Sequence, residues 1–389
     1  MVSAFRHKGN SNLIFGAGSA ASLPELVSKE GLILILTGGH FLQSQAWTLL
    51  ETGLKKAGIA YVHETISGEP SPDTVDSLVE IARGAAAVSV LAIGGGSVLD
   101  AGKAVAAMVC HEGSVIEYLE GVGTRLPGGR TLPMIAVPTT AGTGSEATKN
   151  AVISKHGDSP FKKSLRHDAF VPATAVIDPE LTLGCPMNVT LACGMDALCQ
   201  LIESYISTRA TLFTNMLAKE GLRLFGSACE LLSGEELGIN EESQRGSLAL
   251  AAYLSGLCLA NAGLGTVHGL AGPLGAHLEI PHGLACALLA VPVFRLLVKR
   301  LSQDSNQAVL DKLAFAGAQI NRGSNANPGA RDVECLTDHL ENWAGRLRPL
   351  VDYGLERSDI NLIVSASDNK NSPVNFSYSE RREFLLQLI

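Results

Sequence analysis

Apolar positions in the first half of the chain fall into short runs, separated by stretches with helical spacing. Leu32–Leu36 (LILIL), Ile59–Thr65, Val88–Ile93 (VSVLAI) and Met134–Val137 read as buried strands. Ser71-Pro72-Asp73 supplies start signals for a helix over Asp73–Arg83, and a second helical segment covers Val98–Met108. Strand and helix alternating in this way predict a parallel sheet with flanking helices. From Pro186 onward the pattern changes: Val189–Ser207, Thr211–Leu232, Glu241–Asn261 and Gly283–Lys299 all have helical spacing, and strand-like alternation largely disappears. The chain therefore reads as an α/β domain over residues 1–182 and an all-helical domain over residues 183–389. Asp178-Pro179 and Cys185-Pro186 interrupt regular structure at the boundary. The polar stretch Ser365–Ser377 reads as an exposed loop before a last short helix.

Composition narrows the class. At 389 residues and 46% hydrophobic content, two domains with sizeable cores are expected. Thirty Lys and Arg against 38 Asp and Glu give a formal charge of −8, and no basic cluster points to nucleic acid. The eight cysteines, Cys110, Cys185, Cys193, Cys199, Cys229, Cys258, Cys286 and Cys335, are scattered through apolar segments without a CxxC pair. They read as core thiols of a reducing compartment. The start MVSAFRHKGN lacks an apolar signal core, and no apolar run approaches the ~20 residues that span a bilayer. A cytoplasmic protein with no membrane partner is expected.

Three stretches carry candidate chemistry. Gly94-Gly95-Gly96-Ser97 follows a buried strand and opens a helix, where backbone N–H groups and the helix dipole suit a pyrophosphate. Asp100 lies in the first helical turn and could accept a hydrogen bond from a cofactor. The loop Pro138–Glu146 (PTTAGTGSE) follows a second strand, and its hydroxyls suit phosphate, ribose or carboxamide; the plainer reading is a helix cap at Thr143 or Ser145. Two such loops after two strands of one sheet favour a nucleotide site. Gly16–Ala21 (GAGSAA) lacks the third glycine of a dinucleotide fingerprint and reads as a turn into a helix. In the helical half, Asp196 and Gln200 stand four positions apart and share a helix face, while His268 and His282 sit in an apolar, glycine-rich segment. One carboxylate, one amide oxygen and two imidazoles could enclose a divalent metal; equally, such groups can be satisfied core residues.

Taken together, GGGSVLDAGKA, PTTAGTGSEAT, DPELT, GMDALCQLIESY and VHGLAGPLGAHLEIPHG resemble the iron-dependent (group III) alcohol dehydrogenase family, in order and spacing, over essentially the whole chain. The resemblance implies a dehydroquinate synthase-like fold, with an N-terminal nucleotide-binding α/β domain and a C-terminal helical metal domain. It implies NAD(P), a divalent metal (Fe²⁺ or Zn²⁺), a small alcohol or aldehyde substrate, and a homodimer or larger homo-oligomer. Metal ligands carry onto Asp196, His268 and His282. Cofactor contacts carry onto Gly95, Ser97, Asp100, Thr139, Thr140, Thr143 and Ser145, and onto Lys162 or Lys163, with Gly96 in the same loop.

This sequence departs from the family pattern at three places. Gln200 stands where most members have a histidine ligand, so a weaker fourth ligand is expected there. Gly272 stands where several members have a histidine near the nicotinamide, leaving His277 as the remaining candidate for a proton relay. The first βα turn, Thr37-Gly38-Gly39-His40, lacks the aspartate that NAD-preferring members carry at about Gly38, which leaves room for NADP. The expected activity is hydride transfer between nicotinamide and an alcohol or aldehyde whose oxygen is polarised by the metal. The departures keep two alternatives open: a metal-independent reductase resembling maleylacetate reductase, and a non-catalytic nucleotide-binding relative. A cyclase of the dehydroquinate synthase type would call for Lys and Arg around the metal-bearing helices, and residues 190–205 and 262–285 contain none.

Overall fold

A computed structural model of the chain describes residues 4–157, 159–234, 240–321 and 327–389. The chain folds as two compact units. One comprises Lys8–Thr140 and Gly144–Cys185; the other comprises Pro186–Ile389 with the stretch before Lys8 and Ala141–Thr143. The division falls after Cys185 rather than at residue 182, and the PTTAGTGSE loop lends three residues to the helical unit. There, a Cβ on Gly142 would stand 2.7 Å from Cys193 Cβ, so only glycine lets this loop lie against the helix.

The first unit runs β1 (Asn12–Phe15), α1 (Leu23–Leu26), β2 (Leu32–Gly38), α2 (Gln45–Ala57), β3 (Tyr61–Ile66), α3 (Pro72–Gly84), β4 (Ala87–Gly94), α4 (Gly96–Met108), β5 (Met134–Pro138), β6 (Asn150–Lys155), β7 (Phe161–Arg166) and β8 (Thr174–Ile177). Six strands form one sheet in the order β1-β8-β5-β4-β2-β3, and every pairing in it is parallel. β6 and β7 form a separate antiparallel hairpin. Strand β2 explains why its sequence reads as an unbroken apolar run. Leu34 and Leu36 enter one core with Val75, Leu78 and Val98. Ile33 and Ile35 enter another with Leu50 and Leu54. Side chains alternate across a strand, so a sheet covered on both faces needs apolar residues at every position. The chain leaves β2 toward β3 on one side and leaves β4 toward β5 on the other. The order therefore reverses between β2 and β4, and a ligand crevice is expected beyond their carboxyl ends.

The second unit contains α5 (Met187–Ile206), α6 (Leu212–Ser227), α7 (Cys229–Ser233), α8 (Glu241–Ala262), α9 (Thr266–His277), α10 (His282–Gln303), α11 (Gln307–Ile320), α12 (Ala330–Ala344), α13 (Ile360–Ser365) and α14 (Tyr378–Leu386). Helix α5 is buried on nearly every side, with Met195, Leu198, Leu201 and Ile202 all at 0% exposure. A helix apolar all round belongs at a domain centre. No single helix among the described residues is long and apolar enough to cross a membrane.

Candidate active site

Helix α5 places Asp196 in the core of the second unit at 0% exposure. Its Oδ1 lies 3.0 Å from His268 Nε2, which α9 delivers from its first turn. His282 opens α10, and Cys286 follows four residues later on the same face. One donor atom each from Asp196, His268, His282 and Cys286 lie within 4.8 Å of one another. Cys286 Sγ stands 3.6 Å from His282 Nε2.

A second carboxylate fixes the geometry. Glu203 Oε2 accepts from His268 Nδ1 at 2.7 Å, and Oε1 accepts the backbone N–H of Val267 at 2.7 Å. Its approach needs Gly265, where a Cβ would lie 2.8 Å from Oε1. With Nδ1 tied to Glu203, the imidazole presents Nε2 toward Asp196, the carboxylate–histidine arrangement found behind metal ligands. Burial lowers the His268 pKa, but the Asp196 and Glu203 hydrogen bonds outweigh it and raise it to about 9. Burial raises the Asp196 carboxyl, but the His268 hydrogen bond and the nearby imidazole charges hold it below its ordinary value. Burial and the charge of Asp196 push the Cys286 thiol well above its ordinary value.

This donor set fits a divalent cation. Asp196 Oδ2 is buried with no hydrogen-bond partner among the described residues, an arrangement that is costly unless something positive meets it. Carboxylate, imidazole and thiolate are all ligands of zinc and related ions.

The expected residues divide three ways. Asp196, His268 and His282 come together. Gln200, one turn after Asp196 on α5, has other partners: its Oε1 accepts from Ser255 Oγ at 2.8 Å and its Nε2 faces Thr143 O at 3.4 Å. His277 does not join them. It lies nine residues beyond His268 on α9, half a turn round the helix, and pairs with Asp359 Oδ1 at 3.1 Å. The proton-relay expectation for His277 is therefore corrected: a helix rotates its side chain to the opposite face. Glu203 and Cys286 were missed, although both were legible as spacing. Glu203 falls seven residues after Asp196 and Cys286 four after His282, the same periodicity that singled out Gln200.

In the first unit, the loops after β2, β4 and β5 line up at the carboxyl ends of adjacent strands. Gly38 and Gly39 end β2, and Gly95 caps α4 without a side-chain hydrogen bond, leaving Gly96 and Ser97 in its first turn. Thr139 N donates to Gly94 O at 3.0 Å, and a Cβ on Gly95 would stand 3.5 Å from Thr140 Oγ1. Gly94 and Gly102 let α4 press on the sheet: a Cβ there would meet Val98 Cγ2 at 2.4 Å and Ala92 Cβ at 2.8 Å respectively. The bare helix N-terminus over a glycine-rich turn suits an anionic cofactor group.

Asp100 and Ser145 are used differently from the expectation that they contact a cofactor. Asp100 Oδ1 accepts from Ser145 Oγ at 2.5 Å and from Lys103 Nζ at 3.0 Å, and Oδ2 accepts from Val152 N at 3.0 Å. Lys103, 1% exposed, also donates to Ser145 O and Thr148 Oγ1 at 3.0 Å each, and to Asn150 O. A buried ammonium needs such a set of acceptors, so these residues tie the loop to α4. Lys162 is likewise paired, with Glu69. Thr143 lies with the helical unit. Burial raises the Glu146 carboxyl in the same loop to about 7.

A parallel sheet with anion-ready loops and a helical unit with a buried His–carboxylate cluster define an oxidoreductase acting on CH–OH groups. The chain belongs to the iron-containing alcohol dehydrogenase family, matching the iron-containing alcohol dehydrogenase domain over residues 10–179 and the family's C-terminal domain over residues 190–387. It is 40% identical over 341 residues to the probable alcohol dehydrogenase EutG of Salmonella typhimurium, covering 85% of each chain. It is 32% identical over 292 residues to the lactaldehyde reductase of Escherichia coli K12, covering 74% of each. The crystal structure of 1,3-propanediol oxidoreductase matches with a TM-score of 0.85 at 26% identity over 100% of both chains. Alcohol–aldehyde interconversion is the chemistry of this group, and the fold is theirs.

Proposed function

We propose that this chain reduces small aldehydes, and oxidises the corresponding alcohols, with NAD(P) at the loops after β2, β4 and β5 and a divalent cation at Asp196, His268 and His282. The arrangement that carries the reading is His268, gripped by Glu203 on Nδ1 and facing Asp196 with Nε2. Asp196, His268 and His282 would hold a cation able to polarise an alcohol or carbonyl oxygen, and a nicotinamide at the glycine loops would supply the hydride chemistry. Glu203 holds His268 in the tautomer that offers Nε2. Asp196, itself fully buried, contributes negative charge where it acts strongly. The glycine loops and the α4 N-terminus orient the cofactor phosphates. Without a cation both nitrogens of His268 are committed to carboxylates, so this imidazole has no hydrogen-bonding atom left for a carbonyl; that disfavours the metal-independent alternative. Gly38 places no carboxylate at the end of β2, which is compatible with NADP as well as NAD. We read the enzyme as cytoplasmic, and the family resemblance points to a homodimer or larger assembly.

The test is an aldehyde panel followed by NADH and NADPH oxidation before chelation, after it, and after adding back Fe²⁺ or Zn²⁺. His268→Ala and His282→Ala should each lower kcat/KM by orders of magnitude. Near wild-type rates in both, or full activity after chelation, would remove the metal from the reading.

A further inference from the structure

Two residues, Gln200 and Cys286, are candidates for a fourth donor beside Asp196, His268 and His282. At Gln200 the amide oxygen is already accepting from Ser255 Oγ at 2.8 Å, and the amide nitrogen faces a backbone carbonyl. On the other side of Asp196, α10 brings Cys286 one turn after His282, with Sγ 3.6 Å from His282 Nε2 and within 4.8 Å of the donor atoms of Asp196 and His268. Cys286 is buried at 0% exposure. Asp196 Oδ2 is a buried acceptor with no partner among the described residues. These two observations converge on one centre.

We propose that Cys286 Sγ, and not the Gln200 amide, is the fourth protein donor of the metal site, which makes it an Asp-His-His-Cys centre. The inference rests on the metal-dependent reading above and deepens it. Two physical arguments carry it. Thiolate is a far better donor than a neutral amide oxygen toward Zn²⁺ and other borderline-soft ions. The His282–Cys286 step of four residues brings both donors to one face of a single rigid helix, so no loop has to be ordered for binding. The thiol gives its proton to solvent as it coordinates. Metal preference should accordingly lie with zinc over iron.

Cobalt substitution of the full chain tests this directly, because a thiolate bound to Co²⁺ gives an intense near-ultraviolet charge-transfer absorption that oxygen and imidazole ligands do not. One equivalent of Co²⁺ should produce that absorption in the wild-type protein. Gln200→Ala should keep it, and so should Cys199→Ala, which removes the neighbouring buried thiol on α5. Cys286→Ser should lose it and release Zn²⁺ to a competing chelator at least tenfold more readily. If the wild-type protein binds one Co²⁺ without the absorption, or if Cys286→Ser retains it, the thiolate assignment is wrong while the metal reading stands. Should the wild-type protein take up no Co²⁺ and reduce aldehydes equally well after chelation, both fall. If Cys286→Ser folds poorly, the wild-type and Cys199→Ala spectra still test the assignment: an absorption absent from the wild-type protein, or lost in Cys199→Ala, would overturn it.

Discussion

Glu203 shows how much of a site can reside in a residue that never meets the substrate. Its two oxygens serve two donors, Val267 N and His268 Nδ1. Glutamine offers one acceptor oxygen and an NH₂ group, so Glu203→Gln must leave one of those donors facing another donor. His268 then loses the partner that fixes its tautomer. Metal affinity in Glu203→Gln should fall roughly 10- to 100-fold, read by chelator competition, with a matching loss of kcat/KM at limiting metal. Unchanged affinity would mean that Asp196 alone positions the imidazole. The difference between Glu203 and Asp196 also marks the reach of sequence reading. Asp196, His268 and His282 stand out because ionisable groups are sparse in their apolar surroundings. Glu203 and Cys286 lie in the same segments at helical spacing, but a cysteine in an apolar helix reads first as core, and a glutamate beside a serine reads first as surface. Only the packing of α9 and α10 against α5 reveals which is which. Asp100 is the converse: its position after GGGS suggests a ligand contact, while the fold spends both its oxygens on Ser145, Lys103 and Val152.

Helix α9 makes the same point one level up. Gly269 and Gly272 look equivalent in sequence, three residues apart in one helix, yet they differ in what lies beyond them. A Cβ on Gly269 would fall 1.9 Å from the Asp368 carbonyl oxygen, whereas one on Gly272 would meet nothing within 4 Å. Gly269→Ala should therefore destabilise by roughly 1–3 kcal/mol through overpacking. Gly272→Ala should be close to neutral, because the helix-propensity gain of alanine is offset by the crowding of its Cβ against the ring of Pro273. The thermal midpoint of Gly269→Ala should fall clearly below that of Gly272→Ala; equal midpoints would refute the packing account. The apolar strands β2, β4 and β5 and helices α3, α4, α5, α8 and α10 are legible because each is long or largely buried. Strand β8 has four residues, and the β6–β7 hairpin carries Lys155, Lys162, Lys163 and Arg166, so neither presents an apolar run. Pairing supplies what their sequences lack: β8 is held between β1 and β5, and each hairpin strand is completed by the other.

For the molecule as a whole, stability should pass through a maximum in the mildly acidic range. On the acid side, exposed carboxylates such as Asp168 and Glu220, lowered by Lys149 and Arg223 respectively, contribute stability above their ordinary pKa that fades as pH falls through the folded value. Solvent screening keeps those contributions small. On the alkaline side one contributing group is Glu146, 3% exposed, whose carboxyl burial raises from 4.5 to about 7. The folded chain holds this proton more tightly than the unfolded chain does. Its contribution is therefore complete below pH 4.5 and is lost as pH rises through about 7. Above that, the ionised carboxylate costs on the order of 3 kcal/mol. Glu146→Gln keeps the shape and the neutral state at every pH. Between pH 5 and pH 8.5 the wild-type melting temperature should drop markedly more than that of Glu146→Gln, and the variant should be the more stable protein at the higher pH. A general rise in negative charge above the formal −8, and loss of the raised His268 proton, would weaken both proteins alike, so equal slopes would assign the alkaline loss to those causes and not to this one buried acid.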